Sequence, residues 1–195
     1  MSKGLLIGLG VAALLLFWGI GVRNGMATEN QEVEASWAKV QTAYQRRADL
    51  IPTLVNTVKG VANFEKQTLT DVINARSGAT QIKLDAKDLT PENMKKYQEA
   101  QSQLSGSLSR LMVVAEKYPE LKATENFSEL QSQLEGTENR IKEERDRFND
   151  TVKGYNNKIV TFPNSLIASF SGFTTKGYFE ADAGASKMPT VDFGK

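Results

Sequence analysis

Apolar residues recur at alternating steps of three and four along three long stretches of this sequence, and that spacing leaves few folds open. In the first stretch they are Val33, Trp37, Val40, Tyr44, Ile51, Leu54, Val58, Ala62, Leu69 and Val72, with Arg47 and Glu65 filling seam positions that the pattern skips. In the second they are Met94, Tyr97, Leu104, Leu108, Leu111, Ala115 and Tyr118, with Gln101 in the gap. In the third they are Phe127, Leu130, Leu134, Ile141, Phe148, Val152, Tyr155, Ile159 and Phe162. This alternation lays a narrow apolar stripe along one side of an α-helix. No such helix can hide its stripe from water alone, and short connections favour antiparallel neighbours. The expected fold is all-α: an elongated antiparallel helical bundle of three long helices plus a short C-terminal helix, preceded by an N-terminal transmembrane helix.

Local signals set the expected ends. The first helix is expected from about residue 30 to 77, with Gly78 just past its end. Thr90 can cap the second while Pro91 takes its first turn, where a missing N–H costs nothing. Pro119 closes it. The third starts at Thr124 or Glu125 and stops at Pro163. At 1.5 Å per residue the rods would be roughly 70, 40 and 60 Å long. "NSLIASFSGF" fits a short fourth helix capped by Asn164 or Ser165. "EGTENRIKEERDR" reads as a solvated face with i,i+4 pairs such as Glu138–Lys142. The final "TTKGYFEADAGASKMPTVDFGK" reads as an extended tail pinned by Tyr178, Phe179, Val191 and Phe193.

Residues 4–22, "GLLIGLGVAALLLFWGIGV", carry no charge and lie between Lys3 and Arg23. About 20 apolar residues span a bilayer core of roughly 30 Å. Trp18 suits the interface level. A cleaved signal peptide would have a shorter apolar run and a small-residue cleavage site, which "NGMATEN" does not supply. The chain therefore divides into an anchor (1–25), a helical bundle (28–173) and a tail (174–195). The expected placement is single-pass, with the N-terminus in the cytoplasm and the bulk of the chain on the outer side of the membrane. Gly8, Gly10, Ala12, Gly19 and Gly21 give the anchor a run of small residues. Such residues let membrane helices approach closely, although lipid-facing glycine explains them equally well.

Composition closes several functional classes. The chain has neither cysteine nor histidine. Disulfides, histidine-based zinc sites and Ser-His-Asp or Cys–His catalysis are excluded without another chain. A net charge of +1 over 195 residues offers no basic face for nucleic acid. No cofactor is implied.

The stretch "YQRRADLIPTLVNTVKG" departs from the helical pattern. Pro52 removes one helical hydrogen bond and opposes the carbonyl of Ala48, at a cost of about 3 kcal/mol unless compensated. Arg46, Arg47 and Asp49 lie one turn earlier, and Asn56 one turn later. One reading is a bend with a polar brace: Arg46 or Arg47 pairs with Asp49 or with an acid on a facing helix, or satisfies released carbonyls. The other is a docking site for a partner. A catalytic reading lacks a nucleophile–base pair.

"QRRADLIPTLVNTVKG", "EKYPELKATENFSELQSQLEGTENRI", "YNNKIVTFPNSLIASFSGF" and "YFEADAGASKMPTVDF", in that order behind the apolar segment, resemble the LemA family over nearly the whole chain. The resemblance implies a bacterial protein anchored by one N-terminal helix and carrying an α-helical bundle, in a family with no established enzymatic activity. Family members usually carry asparagine where Thr53 stands, and often His-Glu where this chain has Phe64-Glu65. A metal or proton-sensing site built on that histidine is absent here.

Two functional classes remain. The first is a membrane-anchored, non-enzymatic scaffold or adaptor: the anchor fixes it in the lipid bilayer and its long helical faces bind copies of itself or further membrane or envelope proteins, with regulation of a membrane protease or stress-response complex as one form. The second is a carboxylate-dependent hydrolase using acids such as Glu65, Asp71, Glu138 and Glu144.

Overall fold

A computed structural model describes residues 2–61 and 64–181. Ala62 of the first stripe, and Val191 and Phe193 of the tail, lie outside the described residues. The helices are α1 (Lys3–Lys59), α2 (Lys66–Gln81), α3 (Pro91–Ala115), the single turn α4 (Pro119–Lys122), α5 (Glu125–Val160) and α6 (Asn164–Ser171). A 3-10 turn spans Ala86–Asp88. No strand occurs among the described residues.

Both ends of the first rod differ from expectation. It begins at Lys3 and runs unbroken for 57 residues, so the apolar segment and the first bundle helix are one element. The polar stretch between them is rich in good helix formers such as Met26, Ala27, Glu29 and Gln31. Its far end is Lys59, not residue 77. The chain reverses at Gly60, and α2 returns through Gly78 to Gln81. The reason is length. From Met26 to Lys59, α1 covers roughly 50 Å, close to the span of α5. A straight continuation would carry Leu69 and Val72 past the end of α5 with nothing to cover them. Folded back, both residues are buried against α3 residues Leu104, Leu108 and Leu111.

Cross-helix contacts fix the directions. Glu29 meets Lys158 and Arg47 meets Glu138, so α1 and α5 are antiparallel. Ala79 meets Gln101 and Asp71 meets Arg110, so α2 and α3 are antiparallel. Trp37 meets Tyr97 and Arg47 meets Ser105, so α3 runs with α1. The bundle is up-down-up-down. Thr90 caps α3 by accepting from the Asn93 N–H, with Pro91 in the first turn, as the sequence predicts.

The core falls into two apolar clusters along the bundle axis. The one nearer the N-terminal apolar segment holds Trp37, Tyr44, Tyr97, Phe148 and Phe179. Trp37 lies 5.2 Å from Tyr97, 5.4 Å from Phe148 and 6.1 Å from Phe179 between ring centres. The far cluster holds Ile51, Leu54, Leu104, Leu111, Phe127 and Leu134.

The helical run at the N-terminus is a candidate membrane anchor. Its most apolar window has a mean hydropathy of 2.5 and contains no buried residue. Of Gly8, Gly10, Gly19 and Gly21, only Gly19 has a neighbour close to where a Cβ would stand, the Ile167 side chain 3.6 Å away. Ala12 is exposed as well.

Candidate functional site

Arg47 occupies a seam position of α1 between the two apolar clusters and is 1% exposed. A cation can stay there only if its charge is paired and most of its donors are met; Nε has no hydrogen-bond partner among the described residues, and the two terminal nitrogens carry the pairing. Nη1 donates to Glu138 Oε1 of α5 at 2.7 Å and to Ser105 Oγ of α3 at 2.6 Å. Nη2 donates to the Gln101 side-chain oxygen at 2.6 Å and to the Gln101 carbonyl at 3.3 Å. The guanidinium carbon also lies 5.1 Å from the Tyr44 ring centre. Gln101 in turn donates to the Ala79 carbonyl of α2 at 3.3 Å. One buried polar layer thus ties together all four rods of the bundle.

The proline is braced from elsewhere. Arg76 of α2 donates its Nε to the Ala48 carbonyl at 2.8 Å. That carbonyl is the one Pro52 cannot reach with an N–H. Neither Arg46 nor Arg47 supplies the brace. Arg47 pairs with an acid on a facing helix, one of the alternatives the sequence leaves open, whereas Asp49 accepts from Gln45 Nε2 at 2.7 Å. Arg46, Asp49, Pro52 and Asn56 are all exposed. The structure therefore separates the residues that the sequence groups: Arg47 turns inward and the other four turn outward. No signal near Pro52 in the sequence points to Arg76.

Beside the polar layer lies a cleft of about 800 Å³, bordered by Arg47, Gln98, Gln101, Glu138, Arg145 and Glu180. One wall is the tail. Three carboxamides each bind both backbone groups of one tail residue. Asn156 accepts from the Lys176 N–H and donates to its carbonyl, both at 2.9 Å. Asn149 does the same to Phe179, both at 2.9 Å. Gln98 does so to Glu180, at 3.0 and 2.8 Å. The backbone groups of these three tail residues are thereby satisfied without a sheet. Gly177 sits against Pro91, whose Cα and N lie 2.8 and 2.9 Å from where a Cβ would stand. Phe179 fills the aromatic cluster under the Arg145 guanidinium, 4.9 Å away. Tyr178 is partly exposed, and its hydroxyl accepts from Asn156 at 3.2 Å. The sequence singles out Tyr178 and Phe179 by their aromaticity alone, and it gives no hint of the three carboxamides.

Burial shifts three titrations here. Desolvation pushes the Tyr97 phenol far above the usual tyrosine range; nearby Tyr44 adds to this, while Arg47 and the Gln101 hydrogen bond oppose it. Desolvation raises Tyr155 as well, opposed by its bond to the Thr174 carbonyl. Lys176 is lowered by desolvation, partly offset by Glu34 and Asp88. Its ammonium donates to the Ala86 carbonyl at 2.9 Å.

The four candidate acids do not converge. Glu138 is engaged by Arg47. Asp71 faces Arg110 at 3.8 Å, and Glu65 is exposed just before α2. Glu144 corrects the reading of "EGTENRIKEERDR" as a wholly solvated face, because it is 1% exposed. Its position continues the step from Ile141 to Phe148, and Arg140 and Arg147 reach in from the surface to its carboxylate, at 2.5 and 3.6 Å. Phe64, at the position where a histidine is often found, is buried and packs on Tyr118 with ring centres 5.0 Å apart.

The LemA family model matches residues 36–193. Protein LemA of Metamycoplasma hominis is 24% identical over 179 residues, which cover 92% of this chain and 76% of that protein. Magnetosome protein MamQ of Magnetospirillum gryphiswaldense is 32% identical over 85 residues, 43% of this chain and 31% of that protein. Magnetosome protein MamQ 2 of Paramagnetospirillum magneticum is 31% identical over 74 residues, 38% of this chain and 27% of that protein.

Proposed function

Because the chain belongs to the LemA family, we propose that it acts as a membrane-anchored, non-enzymatic scaffold that presents its helical faces to other proteins or to copies of itself. The observation that carries this reading is the continuity of α1. One helix passes from the exposed apolar run into the core with no linker between. A bundle joined in this way is held at a fixed height above the bilayer, which is useful for positioning partners. The exposed face of α1 with Arg46, Asp49, Pro52 and Asn56 is the docking surface in this reading. The MamQ relatives' magnetosome role belongs to those proteins, of which this chain matches under a third.

Cross-linking in native membranes, followed by purification of the full chain, tests the proposal. Recovery of a reproducible partner, or of cross-linked dimers and higher species, supports it. A chain that yields neither, and scatters light as a monomer in detergent over a wide concentration range, is not a scaffold. The hydrolase alternative finds no support in the separated positions of Glu65, Asp71, Glu138 and Glu144.

A further inference from the structure

From residue 159 to 175 the chain carries no charge, and Lys158 and Lys176 bracket this stretch. It contains the end of α5, the turn at Pro163 and all of α6. In a bundle that hides its apolar stripes well, this stretch does the opposite. Phe162 is 76% exposed, Leu166 54% and Phe170 92%. They stand four residues apart, and Leu166 and Phe170 form one face of α6. The opposite face is the docked one: Ala168 is buried in the core, and Ile167 rests on Gly19 of α1.

Gly19 lies inside the uncharged run 4–22. The next charged residue of α1 is Arg23, and the Glu29–Lys158 pair follows about a turn and a half beyond it. The exposed apolar face of α6 therefore stands beside the last turns of the anchor, on the same side of the first charges as the lipid. Trp18, 42% exposed, marks the same level. An exposed apolar face of this kind needs an occupant. The one its position supplies is lipid, because the face is continuous with the surface of α1 that the bilayer would cover.

We infer that α6 and the Phe162–Pro163 turn are a second membrane contact, seated in the boundary between headgroups and acyl chains with Phe162, Leu166 and Phe170 turned into lipid. This rests on the reading that residues 4–22 cross the bilayer. An anchor helix alone leaves a bundle free to tilt. A second apolar foothold on the opposite rod, α5, fixes the tilt and the rotation together.

The test exploits the absence of native cysteine. Full-length Phe170→Cys, Leu9→Cys and Lys117→Cys chains are each labelled with an environment-sensitive fluorophore. They are placed one chain per nanodisc in phosphatidylcholine with phosphatidylglycerol, with or without nitroxide-bearing lipid. Circular dichroism confirms that each labelled chain is folded; the replaced side chains are all exposed. The probe at 170 should emit as in an apolar medium and lose about half or more of its intensity to the lipid nitroxide, as expected for a side chain in the interface. The probe at 117 should do neither. If 170 behaves like 117 while 9 is quenched, the anchor stands and this inference is overturned. If 9 is itself unquenched, the anchor reading falls and takes the inference with it. If 170 turns apolar only with several chains per disc, the face meets a second copy and the lipid assignment is wrong.

Discussion

The Nε of Arg76 on α2 donates a 2.8 Å hydrogen bond to the carbonyl of Ala48 on α1, the group that Pro52 leaves without its helical donor. A proline inside a 57-residue helix is thus tolerated because a neighbouring rod supplies what the backbone cannot. Removing Arg76 should cost about 1–3 kcal/mol, the usual penalty for orphaning a buried acceptor. In a Pro52→Ala background the residue 52 N–H can return to Ala48, and Arg76→Met should then cost much less. Urea unfolding of the four chains of this cycle measures the coupling. Equal costs in both backgrounds would mean that Arg76 braces nothing.

Arg47 and Arg46 are neighbours in sequence with opposite surroundings. Arg47→Ala should destabilise by about 3 kcal/mol, because a buried cation and its pairings with Glu138 and Gln101 are lost together. Arg46→Ala should stay within about 0.5 kcal/mol, as a surface change does. If the exposed face of α1 docks a partner, Arg46→Ala lowers capture without moving the melting curve. Loss of capture that follows only the stability loss of Arg47→Ala would refute a docking role for this face.

Gly177 lies where a methyl group would meet the Pro91 backbone. Gly177→Ala should lift the tail from its three carboxamide clamps and cost about 1–3 kcal/mol, as overpacking does. Hydrogen exchange reads this directly: the Lys176, Phe179 and Glu180 amides should lose protection while those of α5 keep theirs. Unchanged protection at these three amides would show that the clamps hold without the close approach at Gly177.

Stability should fall in alkali from about pH 10. Tyr97 and Tyr155 have raised folded pKa values, so the unfolded chain releases these protons first. Their contribution is complete below the unfolded tyrosine value of 10.0 and drains away as pH rises through the folded values. Lys176 acts in the opposite sense: its lowered value makes the folded state gain stability as pH rises towards the unfolded lysine value of 10.5. Denaturation midpoints between pH 8 and 11 should therefore fall less steeply above pH 10 in Tyr97→Phe. A slope unchanged by that substitution would remove Tyr97 from this account.

The sequence by itself determined the all-α class, the apolar N-terminal segment, the cap at Thr90 and most of the core, although Phe162, which the same spacing puts in the third stripe, is 76% exposed because it lies past the end of α5, and Met26, Phe64, Leu84, Leu89 and Leu121 are buried outside the stripes. Trp37, Leu104, Phe148 and Tyr155 are buried where the three–four spacing puts them. These features are local, because periodicity and capping depend on residues within one or two turns. Only the tertiary structure decided that α1 stops at Lys59, that Arg76 rather than Arg47 serves the Pro52 turn, that Glu144 goes inside, and that Asn149, Asn156 and Gln98 hold the tail. Each of these depends on which rods lie side by side and on how far each one reaches. Arg76 and Ala48 are 28 residues apart, Gln98 and Glu180 are 82 apart, and Arg47 and Glu138 are 91 apart. A polar side chain records that it needs a partner; packing alone selects which one it meets.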